Sequence, residues 1–157
     1  MSTQEPAQTV VAIHVALARR LPMRPTSRVH AEAGVGLVGD RYHGTRHRHV
    51  SVQSAEHLEQ GAARLGSPIP PEGTRRNVTL SHGSVPTRPG TRVRLGGSLL
   101  EVVRKAAPCR ILDDEIAPGA ARALHERGGT ILRVLESGDI AVGDTFEVLP
   151  PAEPTGS

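Results

Sequence analysis

The sequence predicts one mostly-β domain, a small closed or nearly closed β-barrel with two peripheral helices, spanning residues 9–149. Three observations lead there. Apolar and polar residues alternate with period two in runs that recur from Val10 to Leu149. Tight connections between those runs are marked by glycines such as Gly34, Gly36, Gly96, Gly97 and Gly138. A chain of 157 residues with 37% hydrophobic content is long enough for one core and too short for two.

Taken in order, residues 1–8 and 150–157 are polar, proline-containing ends without periodicity and read as flexible tails. Val11, Ile13, Val15 and Leu17 would share the buried face of a first strand, with His14 opposite and without special role. The segment Ala33–Gly44 carries four glycines and must be a loop or a strand pair with sharp turns. Val50 and Val52 alternate with His49, Ser51 and Gln53, a short strand with one polar face. Ser54 is placed to cap a helix over Ala55–Leu65, with Ala55, Leu58, Ala62 and Leu65 as its apolar stripe and Gly66 ending it. Asn77–Ser81 reads as a strand with Val78 and Leu80 inward, and Gly96-Gly97 joins Thr91–Leu95 to Ser98–Lys105 as a hairpin. A second helix is expected from about Pro118 to Arg127, ended by Gly128. Thr130–Glu136, a turn at Ser137-Gly138-Asp139, and a strand Ile140–Leu149 with Ile140, Val142, Phe146 and Val148 on one face complete the domain.

Composition narrows the function classes. No run approaches the ~18 consecutive apolar residues that would span a bilayer, and the N-terminal residues lack the basic-then-apolar pattern of a secretory signal. One cysteine makes no intrachain disulfide, which fits a reducing compartment, so a cytoplasmic location without membrane contact is expected. All nineteen lysines and arginines are arginine except Lys105. A GC-rich genome would produce that bias, but the distribution points further, to oxyanion binding by forked guanidinium groups. Arg75, Arg76, Arg88, Arg92 and Arg94 lie in a stretch with no acid, and so do Arg41, Arg46 and Arg48 with His43, His47 and His49.

Two places could carry chemistry. Cys109 follows Pro108 after an apolar strand, with Arg104, Lys105 and Arg110 near it in sequence; positive neighbours favour the thiolate, a nucleophile and soft-metal ligand. A buried cysteine acting as a small hydrophobe is the commoner alternative. Thr74-Arg75-Arg76-Asn77 enters a strand with many donors, suited to a phosphate and a polar heterocycle edge, or else to solvent. His43, His47 and His49 read as a solvated basic loop rather than a metal site. There is no Gly-x-Ser-x-Gly elbow, P-loop or dinucleotide-binding fingerprint.

Four pieces then occur in a telling order: Ala-Glu-Ala-Gly…Gly-Asp-Arg-Tyr-His-Gly (Ala31 to Gly44), Arg-Arg-Asn-Val-Thr from Arg75, Pro-Cys-Arg at Cys109, and the closing Arg-Gly-Gly…Arg-Val-Leu-Glu-Ser-Gly-Asp-Ile-Ala-Val-Gly-Asp. Together they resemble a small stand-alone MOSC domain, named for the C-terminal domain of molybdenum cofactor sulfurases. The resemblance covers roughly Val10 to Leu149. It implies a pyruvate-kinase-barrel-like fold that binds the molybdenum cofactor (molybdopterin), with Cys109 as molybdenum ligand or sulfur carrier. It also marks Arg75, Asn77 and adjacent Arg76 for the phosphate and pterin, Ser54 as a polar residue near the cofactor, and Asp40 and Arg41 as a mainly structural element.

No pyridoxal-phosphate domain to activate a sulfur donor is expected within these 157 residues, and one cysteine cannot hold an iron–sulfur cluster. An external electron donor or a cysteine desulfurase would therefore be the partner. The expected role is that of a small molybdoenzyme reducing N-hydroxylated compounds, its small-molecule substrates, or of a sulfur or cofactor carrier. The alternatives are a non-catalytic interaction module and a basic nucleic-acid-binding barrel, the latter disfavoured because Tyr42 and Phe146 are the only aromatic residues.

Overall fold

The computed structural model describes residues 6–108 and 111–151. Eleven strands run β1 Gln8–Val15, β2 Arg24–Thr26, β3 Arg28–Glu32, β4 Gly36–Leu37, β5 Val50–Ser54, β6 Val78–Leu80, β7 Arg92–Leu95, β8 Ser98–Lys105, β9 Thr130–Glu136, β10 Gly138–Ala141 and β11 Thr145–Val148. The helices are α1 Ala55–Leu65, α2 Ile111–Glu115 and α3 Ala120–Ala123, with a 3-10 turn at Pro71–Thr74. Seven strands close a barrel in the order β1-β11-β7-β8-β9-β5-β6, because β11 pairs with both β7 and β1. Closure leaves the ring without a free edge. β2 extends from β1, and β10, β3 and β4 form a small second sheet. Among the described pairings only β5–β6 is parallel; its crossover runs through α1 and the 3-10 turn, the longer connection that parallel neighbours need. No helix of the described residues is long and apolar enough to cross a membrane.

Alternation places the core as expected for much of the ring. Val52, Val78, Leu80, Val93, Leu95, Leu100, Val102, Leu132 and Phe146 meet inside the barrel. A second cluster of Leu58, Ile69, Leu112, Ala120 and Leu124 seats the helices against the outside. α1 has the predicted bounds, and Gly66 ends it in a left-handed conformation with its N–H donating to the Ala62 carbonyl. Ser54 sits at its N-cap position with extended backbone, but its side chain makes no capping hydrogen bond.

Several elements differ from expectation, each for a local reason. In β1 the buried residues are Val10, Ile13 and, on the opposite face, His14, while Val11 is exposed, as is Leu17 beyond the end of the strand. A register shift between Val10 and Ala12 opposite β6 inserts Val11 as an extra residue, and that bulge exchanges the faces. The expected strand Ile140–Leu149 is two strands: a turn in which Gly143 has φ +97° sends β10 to the small sheet and β11 to the barrel, leaving Val142 and Val148 half exposed. The expected helix over Pro118–Arg127 is only α3, because Gly119 is left-handed before it and Glu126, at φ 68°, is left-handed after it. α2 was not foreseen, so the described residues hold three helices where two were expected. The polar face of β5 is buried at Ser51 and Gln53, and so is His49 just before the strand, which was expected in a solvated basic loop.

Candidate functional site

Beneath one end of the barrel lies a saturated polar knot. Asp40 is fully buried, and its Oδ1 accepts hydrogen bonds from the Ala16 N–H (3.2 Å), Arg41 (3.1 Å) and the Asn77 side-chain amide (3.2 Å). Its Oδ2 accepts from the Tyr42 N–H at 3.3 Å. Asn77 Nδ2 also donates to the His14 carbonyl, and its Oδ1 accepts from the N–H and hydroxyl of Ser51. Every donor and acceptor of that amide is thus engaged inside the fold, joining β1, β5 and the Asp40 loop. Asn77, 2% exposed, supports the site from below rather than opening onto it.

Above the knot is a cavity of about 380 Å³ lined by Arg19, Arg20, Arg41, Arg48, Arg75 and Arg76, with Tyr42, Thr74, Ala107, Ile111 and Leu112. No carboxylate is among these described lining residues. The arginines form a gradient from Arg76 and the Arg41 side chain, both buried, through half-buried Arg48 and Arg75 to exposed Arg19 and Arg20. Arg76 donates from Nε to the Gly128 carbonyl (2.9 Å) and from Nη2 to the Ala107 carbonyl (3.2 Å). Burial, reinforced by Arg48, Arg41 and Arg104, lowers its pKa to about 10, so it stays cationic at neutral pH. Arg41 pairs with Asp40 and reaches the Arg75 carbonyl at 3.0 Å. Arg75 adopts φ 61° at the end of the 3-10 turn and its Nη2 donates to the carbonyls of Arg19 (2.8 Å) and Leu21 (3.0 Å). The guanidinium carbons of Arg41 and Arg48 lie 4.5 and 4.4 Å from the Tyr42 ring centroid, within cation–π range. Burial first, then Arg104, Arg41 and Arg19, pushes the Arg48 pKa down; its Nε is buried with no hydrogen-bond partner in the described structure.

Two glycines of the Arg127-Gly128-Gly129 motif fix the wall of this cavity. A Cβ on Gly129, which has φ +91°, would lie 2.1 Å from the Val52 carbonyl oxygen, and one on Gly128 would lie 2.6 Å from the Ala106 carbonyl oxygen and 3.3 Å from Pro108. Only glycine permits this close passage, which delivers the Gly128 carbonyl to Arg76 and packs the chain against Pro108.

Of the residues marked from sequence, Arg75 and Arg76 line the cavity and Asn77 lies beneath it. Ser54 is fully buried outside the lining, its hydroxyl without a partner in the described structure. Cys109 and its neighbour Arg110 lie outside the described residues; the cavity wall includes Ala107 on one side of them in sequence and Ile111 on the other. Lys105 is held by Glu126 at 2.7 Å on an exposed surface. The three clustered histidines separate: His43 and His47 are exposed, whereas His49 is buried between the Thr45 carbonyl (2.6 Å) and the Val134 N–H (2.9 Å). Among the described residues no group of three or more His, Cys, Asp or Glu is placed to hold a metal ion. Sequence reasoning missed Arg19 and Arg20, although residues 6–31 contain four arginines and no acid.

The model of the MOSC domain family matches residues 39–147. No functionally curated protein matches the chain. Among solved structures, the YuaD protein from Bacillus subtilis superimposes with a TM-score of 0.77 at 20% identity, covering 90% of this chain and 95% of that one. YiiM from Geobacillus stearothermophilus gives 0.71 at 19% identity, over 91% of this chain and 75% of that one. YiiM from Escherichia coli gives 0.70 at 17% identity, over 95% and 73%. At such identities the likeness is one of fold.

Proposed function

The chain belongs to the MOSC domain family, and on that premise we propose that it binds the pterin molybdenum cofactor at its arginine-lined end, with Cys109 as the thiolate that meets molybdenum or carries sulfur. The observation that carries the reading is the cavity itself: six arginines and no carboxylate among its described lining residues, with Ala107 and Ile111, which stand on either side of Cys109 in sequence, in its wall. Like charges held this close oppose one another, and Asp40 is already committed to Arg41, so the folded chain leaves positive charge that an anion would neutralise. A volume of about 380 Å³ is within the ordinary range for small-molecule sites.

The donor set fits the proposed ligand. Arginines present planar pairs of donors to a phosphate, while Tyr42 and Thr74 offer polar edges and Ile111 and Leu112 an apolar wall. Arg76 would act chiefly by holding the Ala107 and Gly128 carbonyls, and with them the approach to Pro108 and Cys109. Asn77 would act from below, by fixing Asp40 and β1. When bound, the cofactor would supply a redox-active metal, for which a thiolate is a suitably soft ligand. Reduction would draw electrons from a partner protein, and sulfur carriage would draw persulfide sulfur from a cysteine desulfurase.

Protein purified from a host that makes the cofactor should contain molybdenum by elemental analysis and pterin by fluorescence. Absence of both from cofactor-proficient cells would overturn the reading. The two uses separate in parallel assays. Reduction of an N-hydroxylated compound with an added electron donor marks an oxidoreductase, and persulfide on Cys109 after incubation with a desulfurase and cysteine marks a carrier.

A further inference from the structure

The family resemblance marks Arg75 and Asn77 for the ligand, yet the structure gives both of them internal work. Asn77 is saturated by His14, Ser51 and Asp40. Arg75 uses its Nη2 to tie down the carbonyls of Arg19 and Leu21. Arg48, which carries no such assignment, is in the opposite condition. Its Nε is buried and has no hydrogen-bond partner in the described structure, and its guanidinium lies over the Tyr42 ring beside the cavity.

We propose that Arg48 is the residue that grips the ligand's phosphate, and that Arg75 is a positioning residue that latches the 16–23 segment so that Arg19 and Arg20 flank the same anion. A buried N–H left without an acceptor is costly, and an anionic oxygen is the acceptor that removes the cost most fully. Stacking on Tyr42 holds the guanidinium in place before the ligand arrives, so little side-chain freedom is lost on binding. The cationic groups around Arg48, namely Arg41, Arg19 and Arg104, all disfavour its charge, and the one acid in the polar knot, Asp40, is taken by Arg41. An anion placed at Arg48 relieves both defects together. Arg75 reaches the same anion through the backbone: without its two hydrogen bonds, the carbonyls of Arg19 and Leu21 lose the contact that fixes their segment over the cavity.

This inference rests on the anion-pocket part of the proposed function and is tested without the cofactor. Cofactor-free protein is titrated calorimetrically with inorganic phosphate and with pyrophosphate. Arg48→Gln is expected to weaken pyrophosphate binding by about tenfold or more while the unfolding midpoint stays level or rises, since a like-charge contact is removed. Arg48→Lys keeps the charge but loses the Nε donor and the planar fork, so it should restore only part of the affinity. Arg75→Ala should weaken binding less and should speed hydrogen exchange of the Leu21 amide, which bonds to the Ala18 carbonyl within the latched segment. Undiminished pyrophosphate binding in Arg48→Gln, or full rescue by Arg48→Lys, overturns the role of Arg48; unchanged exchange in Arg75→Ala overturns the latch. If Arg48→Gln binds pyrophosphate normally and co-purifies with the wild-type pterin content, this assignment falls and the cofactor reading stands. If wild-type protein lacks pterin but Arg48 still controls pyrophosphate affinity, the cofactor reading falls and this one stands.

Discussion

Inside the barrel, Val52, Val78, Leu100 and Leu132 are buried in one apolar cluster. One residue before Val52 and Val78, Ser51 and Asn77 are buried too, but each is held by specific hydrogen bonds. Above them the arginine-lined cavity follows a third rule, with several cations gathered and one acid, Asp40, committed beneath them. The apolar side is stabilised by area removed from water and tolerates an apolar residue of similar volume. The polar knot is stabilised only while every group in it has a partner. At the cavity, Arg41, Arg75 and Arg76 are held by internal hydrogen bonds, and the charge left over, with the unpartnered Nε of Arg48, is the part that would be completed by an anion.

Breaking the knot should have the largest effect on stability. Asp40→Ala strands the Asn77 amide and leaves Arg41 as an unneutralised buried cation, so it should cost about 3–5 kcal/mol by chemical denaturation. A cost below about 1 kcal/mol would show that water substitutes for Asp40 and that the knot is not dry.

In the apolar cluster, Leu100→Ala removes a fully buried side chain and should cost about 2–5 kcal/mol, depending on how far the barrel collapses around the gap. Leu100→Met, nearly equal in volume, should cost less than about 1.5 kcal/mol. Equal losses for the two variants would contradict the claim that this side obeys only volume and burial.

A smaller effect comes from pH. His49 donates from Nε2 to the Thr45 carbonyl and accepts from the Val134 N–H at Nδ1, an arrangement available only to the neutral ring. Burial lowers its pKa below the ordinary 6.5, and burial likewise lowers those of His14 and His57. The unfolded chain therefore takes up protons near pH 6.5 that the folded chain refuses. This contribution to stability is complete above pH 6.5 and declines as pH falls below it. Urea midpoints should be level between pH 7 and 8 and fall toward pH 5, with a shallower fall in His49→Gln. A midpoint that rises on acidification would contradict the neutral, buried ring.

Much of the barrel was legible because its signals are local. Gly96-Gly97 gave the β7–β8 hairpin, alternation gave β9 with its observed bounds, and Gly66 ended α1 where expected. The bulge at Val11 was not legible, since it exists only in the register against β6, and without it the alternation points to the wrong face. The break between β10 and β11 was hidden because Val142 continues the alternating pattern through a turn. At the candidate site, the acid-free stretches marked arginines without saying which would meet. Arg41, Arg48, Arg75 and Arg76 converge with Arg19 and Arg20, whereas Arg88 and Arg92 line a separate groove. Which arginine is latched to backbone and which retains an unpartnered donor depends on contacts such as that between Arg75 and residue 19, far apart in the chain.

The central claim is that the arginine-lined end holds the molybdenum cofactor with Cys109 at the metal. It is tested most directly by measuring molybdenum and pterin in wild-type and Cys109→Ser protein purified side by side from a cofactor-producing host. A hydroxyl is a poorer soft-metal ligand than a thiolate, and the substitution leaves the arginines in place. Wild-type protein should carry both components, and the serine variant should keep pterin while losing most of its molybdenum. Full molybdenum content in Cys109→Ser, or neither component in the wild type, would contradict the account.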